Sequence, residues 1–415
     1  MHMETTQAAA GKKHLAVVTG TRAEYGLLRP VIKKLLKSDK IIPDVIVTGA
    51  HLRAEYGHTV EEILADGIRP AAEIDILRFG SGPLALPDTV AYALQAFARW
   101  FAAQRPAAVL LLGDRYEIFA AAQAAAMTGV PIAHISGGDV TLGAADDYYR
   151  HCITKMAALH FPSCAVYARR VIRMGEAPEN VCCVGGLGDE NIRCLPKLSL
   201  DALSESLGFD LHAPYALVTF HPETAGGADP AAQADALFAA MEAVGAQTGL
   251  HWLITKANAD AGGELINRRI DAWTAARPQQ AAAFASLGVQ RYLSAMQHAA
   301  FVAGNSSSGV VETPTFGVPA VNIGRRQDGR LLCANVLCCP AEEKAIAQAF
   351  IQALTPAFAA AAHAVVSPYN GGDTSGRIVR ILEQRLFAPG FGAPKGFYDG
   401  PDVLLDEAAA PAVQN

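Results

Sequence analysis

The 415-residue chain is poor in charge (18%) and in aromatic side chains (7%), and its formal net charge is −6. It carries no basic cluster, which argues against nucleic acid as a partner. An anionic small molecule stays open, because a few arginines in a cleft suffice to hold one. No apolar run is long enough to cross a bilayer, so no membrane partner is expected. The start shows no apolar stretch with a cleavage site, and its first thirteen residues read as a disordered lead. The eight cysteines form no CxxC and no zinc-like Cys/His spacing. They read as buried, reduced thiols, which suits a cytoplasmic protein. Asn305-Ser306-Ser307 matches a glycosylation sequon, which carries no meaning in such a compartment.

What is present is alternation. HLAVVTG (14–20), DVIVTG (44–49), AAVLLLG (107–113) and VPIAHIS (130–136) read as buried strands, with helical patterns between them. The pattern pauses near 190–212 and restarts with YALVTF (215–220), HWLITK (251–256), AFVAGN (300–305) and PAVNIG (319–324). Apolar strands separated by helices imply parallel sheets covered on both faces. The expectation is α/β: two Rossmann-like, doubly wound domains with a cleft between the carboxyl ends of their strands. We expect a first domain over 1–190, a second over 191–380, and a segment 381–415 that returns to the first domain and ends in a mobile tail.

Polar motifs recur at the strand exits. TGTRAEYG (19–26) offers Arg22 and a helix start with open backbone N–H groups; it lacks the Gly-Lys-Ser/Thr ending of a Walker A loop. A plain strand–helix turn explains it equally well. GNSSSGVVETP (304–314) brackets Ser306, Ser307 and Ser308 with glycines, which suits a diphosphate, and Glu312 can accept both hydroxyls of a ribose. A serine-rich helix cap is the plainer alternative. RRQDGR (325–330) adds Arg325, Arg326 and Arg330 as candidate anion clamps.

Acid–base candidates follow the same logic. LGDRYE (112–117) sets Asp114 at a strand end, and TFHPET (219–224) does the same for His221. In HISGGDVTLGAADDYYRH (134–151), Asp139, Asp146 and Asp147 crowd one strand exit. Tyr149, Ile153, Met156 and Ala157 form the apolar face of the helix that starts near Asp146. Asp147, Arg150, His151 and Thr154 share the opposite, polar face. A helix cap with a first-turn acid also accounts for Asp146-Asp147.

Together these motifs resemble the hydrolysing UDP-N-acetylglucosamine 2-epimerases of bacterial sialic acid synthesis, and equally their relatives acting on UDP-N,N'-diacetylbacillosamine. The resemblance runs in order through TGTRAEYG, GAHLRAEYGHT (49–59), LGDRYEIF (112–119), RHCITKMAALHF (150–161), VTFHPET (218–224), ANAD (257–260), GNSSSGVVE (304–312), NIGRRQDGR (322–330) and KGFYDGP (395–401). It implies a GT-B-like fold and a UDP-sugar substrate. Ser306, Ser307 and Ser308 would meet the diphosphate with Arg22 and Arg326, and Glu312 would hold the ribose. Asp114, Asp139, Asp146, Asp147 and His221 would carry the chemistry, with His51, Arg115, Arg150 and Asn258 lining the substrate. Such relatives carry glutamate where this chain has Asp139, and some carry another where it has Ser136.

The implied reaction loses UDP from C1, moves the C2 proton and adds water, so free N-acetylmannosamine leaves. It calls for no cofactor: arginines neutralise the diphosphate and no hydride moves. The resemblance also implies a homodimer or homotetramer. Alternatives are a non-hydrolysing 2-epimerase, a glycosyltransferase of the same architecture, and a catalytically inactive UDP-sugar sensor.

Overall fold

The computed structural model describes residues 11–80, 82–142, 146–223, 229–257 and 262–400. Its first sheet contains β1 (Lys13–Thr19), β2 (Ile41–Thr48), β3 (Ala72–Ile74), β4 (Ala108–Leu112), β5 (Ile132–Ile135) and β6 (Leu159–Phe161). All are parallel, in the order β3-β2-β1-β4-β5-β6. The second sheet contains β7 (Tyr215–Thr219), β8 (His251–Thr255), β9 (Ala281–Phe284), β10 (Phe301–Gly304), β11 (Ala320–Ile323) and β12 (Val336–Cys339). Its order, β12-β11-β10-β7-β8-β9, repeats the first when counted from β7. Both are doubly wound sheets of the Rossmann order, as the alternating pattern predicts.

The central strands explain their own composition. Every residue of β4, AVLLL, and of β7, YALVT, is buried. With helices on both faces, each buried Leu or Val there stabilises the fold by about 1.5–3 kcal/mol. One face of the first sheet packs on helix Arg22–Leu35 and on helix Thr374–Arg385, whose Ile378, Val379 and Leu382 join that core. The chain has therefore returned to the first sheet by Thr374. The other face covers Phe97 and Phe101 of helix Ala85–Gln104 and the alanine-rich helix Tyr116–Thr128. The second sheet is sandwiched in the same way, with Trp252, Phe301 and Phe350 in contact on one side and Leu253 and Met296 on the other.

The order of each sheet reverses beside its first strand, so β1 and β4 form the switch in one half and β7 and β10 in the other. Ligands of such sheets bind outside the carboxyl ends of the strands at that switch. The two halves touch there. Arg22 Nη1, after β1, donates to Ser286 Oγ at 3.1 Å, after β9. Leu142 N donates to the Asp328 carbonyl at 2.9 Å.

All eight cysteines are free, but Cys152, Cys194 and Cys338 are exposed, so burial does not extend to every thiol. Among the described residues, no single helix is long and apolar enough to cross a membrane.

Candidate active site

Thr21 caps helix Arg22–Leu35 through a capping box with Glu24. Glu24 Oε2 accepts from Gly20 N at 2.8 Å and from Thr21 N at 3.0 Å, and Thr21 Oγ1 accepts from Glu24 N at 3.3 Å. The N–H groups of Gly20, Thr21 and Glu24 are thus taken by the cap. Burial and the neighbouring Glu117 push Glu24 up to about 8. Arg22 itself leans outward, pairing with Glu62 Oε1 at 2.7 Å and with Ser286 across the cleft. His51 lies wholly inside, its two ring nitrogens bonded to Thr19 Oγ1 at 3.0 Å and Thr59 Oγ1 at 2.8 Å. In this arrangement it supports the β1 exit and faces no open space. Arg115 Nε is held by Glu117 Oε1 at 2.6 Å.

The stretch after β5 turns sharply. Ser136 has φ +66°, a left-handed conformation rare for a residue with a Cβ and typical of strained functional turns. Gly138, at φ +88°, sits where a Cβ would lie 2.5 Å from the Tyr167 carbonyl. The glycine thus lets the loop press onto helix Ala165–Arg173, and Arg170 donates to the Gly138 carbonyl. His134, buried at the strand end, donates through Nε2 to the Gly113 carbonyl at 2.8 Å, and burial pushes it down to about 4.

Helix Asp146–Met156 does not turn its polar face to solvent. Arg150 and Thr154 on that face are buried, as is Ile153 on the apolar face. Arg150 is the hub of four acceptors. Its Nη2 pairs with Asp114 Oδ2 and donates to Thr141 Oγ1 at 3.0 Å; its Nη1 reaches Asp147 Oδ1 and the Asp139 carbonyl, each at 3.0 Å. Asp147 Oδ1 also accepts from Thr141 N at 2.7 Å, and His151 Nε2 stands 3.5 Å from Asp147 Oδ2. One guanidinium thus gathers Asp114 and Asp147 and fixes the backbone at Asp139, a geometry its planar fork suits. Asp146, half-buried, opens the helix. Burial pushes the Asp139 carboxyl above its ordinary range, opposed by Arg330 and Arg150.

In the second half, Gly304 ends β10 at φ +125°, where a Cβ would lie 1.9 Å from the Thr219 carbonyl; only glycine fits. Asn305 follows, fully buried, and holds His221 by two hydrogen bonds. Burial and then Arg326 push His221 down to about 3, so it is neutral at pH 7. Ser308 Oγ donates to Glu312 Oε2 at 2.8 Å, and Ser306 Oγ accepts from Ser308 N at 3.4 Å. Ser307 stands before Ser308–Val311, only four residues long, and its side chain makes no capping hydrogen bond. Hydroxyls and local N–H groups, more than a macrodipole, are what this turn offers an anion. Arg326 Nη1 donates to the Asn305 carbonyl at 3.2 Å. Asn258 lies outside the described residues.

Carboxylates at the strand exits of the first sheet and serine hydroxyls with an arginine at those of the second suit an anionic sugar conjugate. A family model described as UDP-N-acetylglucosamine 2-epimerase matches residues 33–383. The chain belongs to this family. Among the relatives of this family member is the GDP/UDP-N,N'-diacetylbacillosamine 2-epimerase (hydrolyzing) of Campylobacter jejuni. It is 35% identical over 326 residues, 79% of this chain and 84% of that relative. The polysialic acid biosynthesis protein P7 of Escherichia coli is 33% identical over 390 residues, 94% of this chain and 98% of that relative. The UDP-GlcNAc 2-epimerase of Neisseria meningitidis, solved bound to UDP-GlcNAc, shares the GT-B-like fold. It aligns with a TM-score of 0.76 at 16% identity, covering 89% of this chain and all (100%) of that one.

Three residues of this epimerase-family site escape a reading of the sequence. Asn305 looks like part of a sequon, Thr141 like a loop residue, and Gln327, which donates to the Asn305 carbonyl at 2.8 Å, like a solvated amide. The available signal for Asn305 was its place directly after an apolar strand.

Proposed function

We propose that the chain is a hydrolysing 2-epimerase that converts UDP-N-acetylglucosamine and water into UDP and N-acetylmannosamine. The observation that carries this reading is the Arg150-centred group of carboxylates at the strand exits of the first sheet, together with the Ser308–Glu312 turn at the exit of β10 in the second. In this reading residues 1–190, with 381–415, bear the sugar-side acids, and 191–380 bear the UDP side.

The chemistry accounts for the residue types. The C2 proton of an N-acetylhexosamine is not acidic, so departure of UDP from C1 comes first or nearly so. The positive charge that develops on the ring acidifies C2 and is stabilised by nearby carboxylates. One carboxylate then removes the C2 proton to leave a 2-acetamidoglucal. Water adds at C1 and a proton returns to C2 from the other face, inverting that centre. Two faces need two acid–base groups, and Asp114 and Asp147 are assigned here, with Asp139 or Asp146 assisting. Arg150 keeps the two placed.

On the UDP side, Ser306, Ser307, Ser308, Arg22 and Arg326 receive the diphosphate and Glu312 the ribose. His221, held neutral, serves as a hydrogen-bond donor to the departing phosphate rather than as a ready proton source. Arg115 and His51 act behind the sugar, through Glu117 and through Thr19. The family resemblance supports a homodimer or homotetramer and a cytoplasmic place.

In deuterium oxide, UDP-N-acetylglucosamine should yield UDP and N-acetylmannosamine labelled at C2. Hydrogen retained at C2 would exclude the elimination route, and UDP-N-acetylmannosamine as product would make the enzyme non-hydrolysing. Intact UDP affinity without turnover of any UDP-sugar would leave a sensor. The name of the Campylobacter relative favours one second reading, the same reaction on UDP-N,N'-diacetylbacillosamine. The ratio of kcat/KM for the two sugars decides it.

A further inference from the structure

The turn that follows β11 runs from one half of the cleft to the other. At its start, Gln327 Nε2 and Arg326 Nη1 donate to the Asn305 carbonyl, at 2.8 and 3.2 Å, and Asn305 in turn holds His221. At its end, the Asp328 carbonyl accepts from Leu142 N at 2.9 Å, and Leu331 N donates to the Tyr167 hydroxyl at 3.2 Å. Between them Arg330 Nη1 meets Asp139 Oδ2 at 3.1 Å, the two side chains only 13% and 11% exposed. Gly329 lies so close to the sugar-side loop that a Cβ would stand 2.4 Å from Val140 Cγ1. Six residues, Arg326 to Leu331, thus link the serine turn to the loop after β5.

We infer that Arg330 is a positioning residue that clasps Asp139 across the cleft and couples the half holding the leaving group to the half bearing the sugar-side acids. This rests on the reading of the site given above. It takes Arg330 away from the diphosphate, for which Arg326 remains.

The groups that face the Asp139 carboxyl are few. Arg330, Arg150 and Arg170 are the cations, Asp114 is the like charge, and Cys164, Tyr167 and Tyr369 complete the wall. Burial holds the carboxyl above its ordinary range, and Arg330 is the first cation opposing that. A cation at this distance lowers a carboxyl by about 1–3 pH units. Asp139 Oδ1 and Arg330 Nε are buried without a hydrogen-bond partner among the described residues.

Two readouts test the clasp, and one needs no turnover. Thermal midpoints of the full chain, Arg330→Met, Asp139→Asn and the double variant form a cycle. Either single change strands a buried polar group, so both should lower the midpoint, and the double variant should lose less than their sum. Strictly additive losses would overturn the clasp. In turnover, Arg330→Met should lower kcat about 10- to 100-fold and move the acidic limb of its pH profile upward by about 1–3 units. UDP affinity by calorimetry should stay near that of the unaltered chain. Lost UDP affinity with an unmoved limb would give Arg330 to the diphosphate and overturn the proposal. Arg330→Lys keeps the charge, so its limb should stay close to the original while kcat falls; this variant carries the pH arm if Arg330→Met does not fold. A limb displaced as far in Arg330→Lys as the loss of the cation requires would overturn the proposal too. An unaltered chain that turns over no UDP-sugar sinks the functional reading, and the stability cycle then decides the clasp alone.

Discussion

Asn305 and His221 exchange two hydrogen bonds: the Asn305 side-chain oxygen accepts from His221 N at 2.7 Å, and its amide donates to the His221 carbonyl at 2.8 Å. The exits of β10 and β7 are thereby fixed to each other at the switch of the second sheet. Because Asn305 is fully buried, Asn305→Ala leaves a backbone donor and acceptor unpaired, at about 1–3 kcal/mol for each. We expect a lower urea midpoint and a loss of turnover together. Asn305→Asp keeps the acceptor alone and should fall between. A variant as stable as the original would show that the pairing is incidental.

Arg150 is buried between Asp114 and Asp147. Arg150→Met removes the one cation that bonds both carboxylates and should destabilise the fold by about 3–5 kcal/mol. Arg150→Lys restores charge but not the fork that reaches four acceptors, so it should recover little activity. Denaturant unfolding and kcat, measured on both variants, check this; a fully active lysine variant would refute the bridging role.

Asp114→Asn and Asp147→Asn should each lower kcat by about 10²–10⁴-fold, the usual scale of a lost acid–base group. UDP binding, proposed for the second half, should hardly change in calorimetry. Near-normal rates in both variants would remove these residues from proton transfer.

Acid should destabilise the protein through its buried histidines. Burial pushes His51 and His134 down to about 4, against about 6.5 in an unfolded chain. Above pH 6.5 both states are neutral there and their contribution is intact. As the pH falls, the unfolded chain gains protons that the fold refuses, so stability is lost from 6.5 down to about 4 and then levels off. Each histidine accounts for about 2 kcal/mol between pH 6.5 and 5. Urea unfolding at pH 7, 6 and 5 should show this slope, and His134→Asn should make it shallower. An unchanged slope in that variant would assign the acid sensitivity elsewhere.

The eight inner strands of the two sheets were legible because each is buried on both faces, and that writes an apolar run into the sequence. The four that were not, β3, β6, β9 and β12, are the edge strands of their sheets. β3 and β6 are only three residues long, and β3, β9 and β12 are only partly buried, so none of the four writes a long apolar run. In the same way the strand exits announced Asp114, His221 and the serine turn, since a polar residue directly after a buried strand is a local signal.

The partners of those residues are not local. Helical periodicity placed Arg150 on a polar face, but only the packing of helix Asp146–Met156 against the exits of β4 and β5 turned that face inward and made Arg150 a buried hub. Nothing in the spacing of RRQDGR separates an arginine that meets Asn305 from one that meets Asp139, 191 residues away in the chain. The sequence by itself determined the two doubly wound sheets and the kind of chemistry at their ends, because burial and strand period act residue by residue. The tertiary structure alone decided which charges face which, because Coulomb attraction and desolvation depend on distances that only the folded chain defines.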